Sequence, residues 1–133
     1  MKHVLVVEDD PHNATLFRKV LEKRAGYRVT VSEDGAEIMR LARSGDIDLV
    51  VLDVSLGHTS LDGQPVNGVE LCRALKADPL TVGIPVMLAT AHAMRGDGER
   101  LMAESGADDY VAKPIVDHAA FALQVRGQFG EAA

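Results

Sequence analysis

The sequence predicts an α/β fold in which one sheet of five parallel strands carries five helices on its two faces. Three observations support this class. Apolar runs typical of strands alternate with segments of helical periodicity along the chain of 133 residues. The run at 47–52 stays apolar on both faces after Asp48, which is typical of a parallel strand covered by helices on both sides. No repeat, low-complexity segment or linker interrupts the alternation, so we expect a single domain over residues 1–133.

The strands are predicted from short apolar runs. In chain order they lie at 3–7, 27–31, 47–52, 84–89 and 110–112. Val29 and Val31 alternate with polar residues in the second run, whereas the third is continuous. Right-handed crossovers leave few topologies for five such strands, and the common solution has the order 2-1-3-4-5.

The helices are predicted from apolar residues at helical spacing. In chain order they run from residue 11 to near 26, and over 34–42, 68–76, 94–105 and 117–128. Asp10 and Pro11 suit the N-cap and the first helical position of the first helix, which Gly26 ends. Gly96 and Gly98 fall in the first turns of the fourth helix. Because glycine costs ~1 kcal/mol there relative to alanine, we expect that helix to be mobile.

The composition excludes several classes of protein. The net charge is −6, with 20 acidic and 14 basic residues, which argues against direct binding to nucleic acid or to anionic membranes. No apolar run approaches the ~18 residues of a membrane span. Cys72 is the one cysteine, so no intrachain disulfide forms. We expect a cytoplasmic protein.

Polar side chains follow four neighbouring strands of the predicted sheet. Glu8 and Asp9 follow the first strand and Asp53 follows the third, while Thr90 and Lys113 follow the fourth and fifth. Adjacent strands are about 4.8 Å apart, so these side chains can converge on one pocket beyond the carboxyl ends of the strands. Three carboxylates at such close range repel one another and resist burial, so we expect a cation among them.

Four stretches of sequence resemble the receiver domains of two-component response regulators. They are VVEDDP at 6–11, LVVLD at 49–53, LATA at 88–91 and GADDYVAKP at 106–114. Each stretch is weak evidence alone, but together they occur in the right order and spacing over nearly the whole chain. The resemblance implies a flavodoxin-like fold with the strand order given above.

The resemblance also implies a phosphorylation site that depends on Mg²⁺. Asp53 is implied to be the phosphoacceptor. Asp9 is implied to bind Mg²⁺ directly, Glu8 to help hold it through water, and the backbone carbonyl of Ser55 to be a further ligand. Hard oxygen ligands of this kind suit Mg²⁺, and the cation keeps the acceptor ionised for nucleophilic attack.

Further roles are implied for residues that surround the acceptor. Thr90 is implied to donate a hydrogen bond to the phosphoryl group, and Lys113 to pair with its charge. Tyr110 is implied to turn inward on activation, filling space that Thr90 leaves when it moves toward the phosphate. The family also commonly has a cis bond between this lysine and the following proline, here Pro114.

The partners follow from the same resemblance. The phosphoryl donor is implied to be a phosphohistidine on a histidine kinase or a histidine phosphotransfer protein. The surface that changes on phosphorylation, and that binds an unknown downstream protein, is expected to run from Thr90 to Gln128. We expect a signalling phosphoacceptor rather than an enzyme, a monomer or a phosphorylation-dependent dimer. We favour a stand-alone regulator over a receiver cut from a hybrid histidine kinase or a larger regulator.

The sequence departs from the family between the third strand and the third helix. The loop from Gly57 to Asn67, GHTSLDGQPVN, is longer than usual, and the proline that usually follows the acceptor is missing. A long loop beside a site is often functional. It either shields the phosphoryl group or contacts a partner, or it is a solvated insertion without a role. Ser55 and His92 occupy positions that in this family influence the access of water.

Three other functions fit the sequence less well. A phosphatase with an aspartate nucleophile would need an acid two residues after Asp53, where Ser55 stands. A flavodoxin-like cofactor binder would need a phosphate-binding loop after the first strand, where the acidic residues 8–10 repel phosphate. A degenerate receiver, serving only as a binding module, would not need the acceptor together with Thr90 and Lys113.

Overall fold

The computed structural model describes residues 1–91 and 96–130 and contains the predicted parallel sheet. The strands of this sheet are β1 (His3–Val7), β2 (Arg28–Val31), β3 (Leu49–Asp53), β6 (Val86–Thr90) and β7 (Asp109–Ala112). Their order is β2-β1-β3-β6-β7, and every neighbouring pair is parallel. The strands predicted fourth and fifth are β6 and β7, because a short hairpin of β4 (Ser60–Leu61) and β5 (Gln64–Pro65) precedes them. The predicted order is confirmed.

Helices cover both faces of the sheet. They are α1 (Pro11–Lys19), which continues as a π-helical turn (Val20–Arg24), α2 (Gly35–Arg43), α3 (Gly68–Ala77), α4 (Asp97–Ser105) and α5 (His118–Gln128). Acidic and amide side chains cap the starts of α1, α2, α3 and α5: the Asp10 carboxylate accepts the His12 N–H, and Asn67 and Glu70 form a reciprocal capping box. These caps explain why those four helices begin where their strand–helix connections end, whereas α4 follows Gly96 without a side-chain cap.

Two hydrophobic clusters lie on opposite sides of the sheet. Alternate residues of β1 divide between them, Val4 and Val6 facing one side and Leu5 and Val7 the other. One cluster packs against α1 and α5, and the other against α2 and α3. All five residues of β1, β3 and β6 are buried, as expected for central parallel strands.

The segment predicted as a polar loop contains a short hairpin. Its strands are β4 (Ser60–Leu61) and β5 (Gln64–Pro65), which pair antiparallel. Asp62 and Gly63 both have positive φ, 51° and 79°, as a two-residue type I′ turn requires. The Asp-Gly pair was therefore a hairpin signal in the sequence, but the strands beside it are too short and polar to show periodicity.

The fourth helix begins later than its apolar spacing indicated. The predicted start at residue 94 lies outside the described residues, and α4 starts at Asp97 after Gly96, whose φ is 89°. A Cβ on Gly98 would collide with the Tyr110 ring. The glycine is therefore required for packing against β7. The mobility predicted for this helix stays a prediction.

Within residues 1–91 and 96–130, no helix combines the length and the apolar character that crossing a bilayer requires.

Candidate functional site

Three carboxylates meet at the carboxyl ends of β1 and β3. Val7 pairs with Leu52 across the two strands, so Glu8 and Asp53, the next residues along, are neighbours. Both are buried, at 4% and 3% exposure, and Asp9 is half-buried beside them. One oxygen from each of the three lies within 4.8 Å of those of the others. The convergence expected from strand order is present.

Lys113, which follows β7, supplies positive charge to this cluster. Its Nζ lies 3.0 Å from Glu8 Oε1 and 3.0 Å from Asp53 Oδ1, and its side chain is 12% exposed. Among the described residues it is the one cation in an ion pair with these acids. One lysine opposite three carboxyl groups leaves an excess of negative charge in a partly desolvated pocket.

Burial and charge shift the acid–base equilibria of this pair. Burial, and after it the hydrogen bond to Asp53, raise the pKa of Glu8 to about 7, although the hydrogen bond from Lys113 opposes them. Burial alone would lower the pKa of Lys113, but its hydrogen bonds to Glu8 and Asp53 hold that pKa above its ordinary value. Lys113 is therefore charged at neutral pH, and a further cation at the site would favour the ionised form of Glu8.

Two further predicted residues lie on the neighbouring strands. Thr90 is the last residue of β6 and is 2% exposed; it follows Ala89, which pairs with Asp53. Its carbonyl oxygen accepts the backbone N–H of Lys113 at 2.8 Å. Tyr110 lies in β7, half-buried, with its ring against α4. The fold thus brings Thr90 to the acceptor and places Tyr110 at the adjoining helix, while the roles of both remain predictions.

The remaining predictions concern Ser55, the peptide bond before Pro114, and the region around His92. The Ser55 backbone N–H donates to Asp53 Oδ1 at 3.2 Å, which fixes the residue beside the acceptor; the role of its carbonyl as a metal ligand stays a prediction. The peptide bond between Lys113 and Pro114 is cis, as predicted. His92 lies outside the described residues, as does part of the surface predicted between Thr90 and Gln128.

Sequence reasoning missed two close approaches near the acceptor. The backbone N–H of Gly57 donates to Asp9 Oδ2 at 3.0 Å. Gly68, the first residue of α3, lies so close to the chain at Asp53 and Val54 that a Cβ would collide with it. Each glycine was visible in the sequence, but its partner depends on the path of the intervening loop.

The donor set fits Mg²⁺. Glu8, Asp9 and Asp53 offer carboxylate oxygens that converge within bonding reach of one ion. Mg²⁺ prefers such oxygens and usually takes one or two carboxylates together with water. The pocket also has excess negative charge to neutralise. These three residues can hold the ion, and it would supply charge neutralisation for a phosphoryl group beside Asp53.

Comparison with known proteins identifies the family. Residues 4–123 match the family described as the response regulator receiver domain. The chain belongs to this family. The receiver is 38% identical over 114 residues to the polar-differentiation response regulator DivK of Brucella ovis, a match that covers 86% of this chain and 85% of that protein.

Solved structures agree with this assignment. The receiver domain of the sensor histidine kinase PA1611 from Pseudomonas aeruginosa, with a magnesium ion coordinated in its active-site cleft, is 28% identical with a TM-score of 0.79, and 98% of each chain is covered. The signal receiver domain of a histidine kinase from Syntrophus aciditrophicus is 30% identical with a TM-score of 0.79, covering 98% of this chain and 91% of that one. Receiver domains interact with histidine kinases or phosphotransfer proteins, and as a member of this family the chain has partners of this class.

Proposed function

We propose that the chain accepts a phosphoryl group on Asp53 from the phosphohistidine of a histidine kinase or a histidine phosphotransfer protein. The observation that carries this proposal is the geometry at the end of β3. Asp53 is buried there, forms an ion pair with Lys113, and belongs with Glu8 and Asp9 to a cluster that can hold a metal ion. The chain is a phosphoacceptor in this scheme, not an enzyme that turns over a separate substrate.

The contacts of Asp53 indicate which oxygen attacks. Lys113 Nζ and the Ser55 backbone N–H both engage Oδ1, so Oδ2 is the better candidate for the nucleophile. Its lone pair forms the new bond to phosphorus while the bond between phosphorus and the donor nitrogen breaks, and that electron pair stays on the donor imidazole. Mg²⁺, when bound, neutralises charge on the carboxylates and the phosphoryl oxygens.

Two residues of this chain can stabilise the transferred group. The Lys113 ammonium already lies at Asp53 and can pair with a phosphoryl oxygen there. Thr90 ends the adjacent strand and can offer its hydroxyl as a donor. Hydrogen bonds to charged groups are worth about 1.5–3 kcal/mol each. A few such bonds approach the free energy of about 5.5 kcal/mol that is needed to shift a two-state population from 1:99 to 99:1.

The signalling step follows from where these residues sit. If Thr90 turns toward the phosphoryl group, space opens beside β6, and the ring of Tyr110 is on the adjacent strand opposite Leu88. That ring packs against Gly98 of α4, so its movement would repack α4 against the sheet. We therefore propose that the changed surface lies between Thr90 and Gln128 and meets a downstream protein.

The test uses a small phosphodonor. The protein is incubated with Mg²⁺ and acetyl phosphate and its intact mass is measured, with Asp53→Asn and a metal-free sample alongside. We expect a single phosphoryl adduct on the wild-type protein that needs Mg²⁺ and is absent from Asp53→Asn. Asp62→Asn, at the exposed hairpin turn, is the matched control and keeps the adduct. An adduct on Asp53→Asn at wild-type yield would remove the proposal.

A further inference from the structure

A hydrogen bond near the start of the long segment between β3 and α3 holds this segment against the rest of the receiver. Gly57 lies where the loop leaves the acceptor strand, and its backbone N–H donates to Asp9 Oδ2 at 3.0 Å. Asp9 belongs to the carboxylate cluster that can hold a metal ion. This bond needs a backbone N–H at position 57, which proline lacks.

A second attachment holds the segment two residues farther on. Thr59 is 3% exposed, and its hydroxyl donates to the backbone carbonyl of Glu33 at 2.7 Å. Its own carbonyl accepts the Val66 N–H at 3.0 Å, which closes the base of the hairpin. A buried hydroxyl with a defined partner fixes the backbone that carries it, so the position of the Gly57 N–H is constrained from both sides.

A third attachment lies at the hairpin itself. The backbone carbonyl of Ser60 packs so closely on Gly35, the first residue of α2, that a Cβ on that glycine would collide with it. Leu61 is partly buried and packs against the hydrophobic cluster on the same side of the sheet. The hairpin therefore rests on α2. A freely solvated insertion would not need a glycine beneath it.

We propose that this segment is a structural part of the metal site: the Gly57 N–H orients the Asp9 carboxylate for Mg²⁺, and Thr59 holds Gly57 in place. The hydrogen bond engages Oδ2 of Asp9, which leaves the lone pairs of Oδ1 for an ion. Groups that orient the ligands of a metal typically change its affinity by 10–100-fold when they are removed. Gly57 and Thr59 are thus positioning residues, and this inference rests on the proposed Mg²⁺-dependent function.

The first test compares two substitutions at one position. Gly57→Pro removes the N–H, whereas Gly57→Ala keeps it and adds a Cβ about 3.2 Å from Asp9 Oδ2. The dissociation constant for Mg²⁺ alone is measured by isothermal titration calorimetry on the full chain without a phosphodonor. We expect Gly57→Pro to weaken binding about tenfold and Gly57→Ala to weaken it clearly less. Equal affinities in the two variants would overturn the proposal.

The second test avoids proline. Thr59→Val removes the hydroxyl and keeps the shape, whereas Thr59→Ser keeps the hydroxyl. The Thr59 hydroxyl donates to the Glu33 carbonyl and is not one of the metal-cluster ligands, so a loss of Mg²⁺ affinity in Thr59→Val that Thr59→Ser restores reports positioning. Mg²⁺ affinities of Thr59→Val and Thr59→Ser that match the wild-type value would overturn the role given to Thr59.

The two proposals fail in different ways. A wild-type protein that neither binds Mg²⁺ nor accepts a phosphoryl group on Asp53 removes the proposed function. A wild-type protein that does both, with an Mg²⁺ affinity that the substitutions at Gly57 and Thr59 leave unchanged, removes the positioning role alone. The melting temperature of each variant in EDTA shows that the folded protein is being titrated.

Discussion

The two ends of the parallel sheet each hold a small group of buried and half-buried polar side chains, and the two groups balance charge differently. At the amino ends, the His3 backbone N–H donates to Asp48 Oδ2 at 2.8 Å, and the His3 ring lies 2.7 Å from the Thr30 hydroxyl. At the carboxyl ends, Glu8 and Asp53 share the Lys113 ammonium. The first group holds one carboxylate, Asp48, which accepts a backbone N–H, whereas the second, which also includes Asp9, sets three acids against one cation among the described residues.

This difference shows that the excess charge is a feature of the site and not a requirement of the fold. The strands between the two ends are buried to the same degree, so the hydrophobic core does not require charge at either end. Unpaired charge in a desolvated pocket is costly. At the amino ends the carboxylate of the group, Asp48, is only half-buried, whereas Glu8 and Asp53 at the carboxyl ends are buried, and a bound cation would lower the cost there. The following predictions test that contrast, in order of decreasing effect.

The largest effect is expected from removing Lys113, which within residues 1–91 and 96–130 is the one cation paired with the carboxyl-end acids. Lys113→Met leaves Glu8 and Asp53 without their partner, and removing one member of a buried ion pair costs about 3 kcal/mol. We expect the unfolding free energy in EDTA at pH 8, where Glu8 is largely ionised, to fall by about that amount. Urea unfolding followed by circular dichroism measures it.

A matched lysine and added metal sharpen this prediction. Lys23→Met removes an exposed lysine and should change stability by less than about 0.5 kcal/mol. Adding Mg²⁺ should reduce the deficit of Lys113→Met, because the ion supplies positive charge to the same acids. If Lys113→Met were as stable in EDTA as Lys23→Met, the carboxyl ends would not carry the unbalanced charge described above.

The second-largest effect is expected from Mg²⁺, which should stabilise the fold through the acids at the carboxyl ends of the sheet only. A ligand that binds only the folded state adds about 2.7 kcal/mol at a hundred times its dissociation constant. We expect Asp9→Asn to lose most of this gain, since it removes a charged ligand. Thr30→Val, at the other end, should keep all of it. Thermal unfolding with and without Mg²⁺ measures the gain, and an equal loss in both variants would contradict the contrast.

Most of the fold could be predicted from local sequence signals. The continuous apolar runs at β1 and β3 identify central strands, and Asp10 with Pro11 identifies the start of α1. Strand order then brings Glu8 and Asp53 together without further information, because parallel strands end at one edge. The site was predictable to the extent that it depends on which strand each residue follows.

The rest depends on geometry that no local pattern contains. The bond between Gly57 and Asp9 needs the path of a loop, and the pairing of Lys113 with Glu8 as well as the acceptor needs side-chain directions across 105 positions of chain. Glycine at position 98 predicts a destabilised helix, whereas its close approach to the Tyr110 ring shows a packing requirement. Contacts between distant segments therefore define the details of the site.

The smallest effect is a pH dependence at the amino ends. Burial, and after it Arg28 on β2, lower the pKa of His3 below its ordinary value, while Asp46 and Asp48 before β3 oppose the shift. His3 therefore binds a proton less readily in the folded protein than in the unfolded one. Between the two pKa values the unfolded state holds more protons, so stability rises with pH there and falls as the pH drops below about 6.5.

Substituting the histidine should flatten this slope. We expect His3→Gln to lose less stability than the wild-type protein between pH 7.5 and 5, measured by urea unfolding in EDTA so that the acids at the carboxyl ends contribute equally to both. His12→Gln, an exposed histidine on α1, should keep the wild-type slope. A wild-type slope in His3→Gln would mean that folding does not disfavour protonation of His3, and the contrast between the ends would rest on the acids alone.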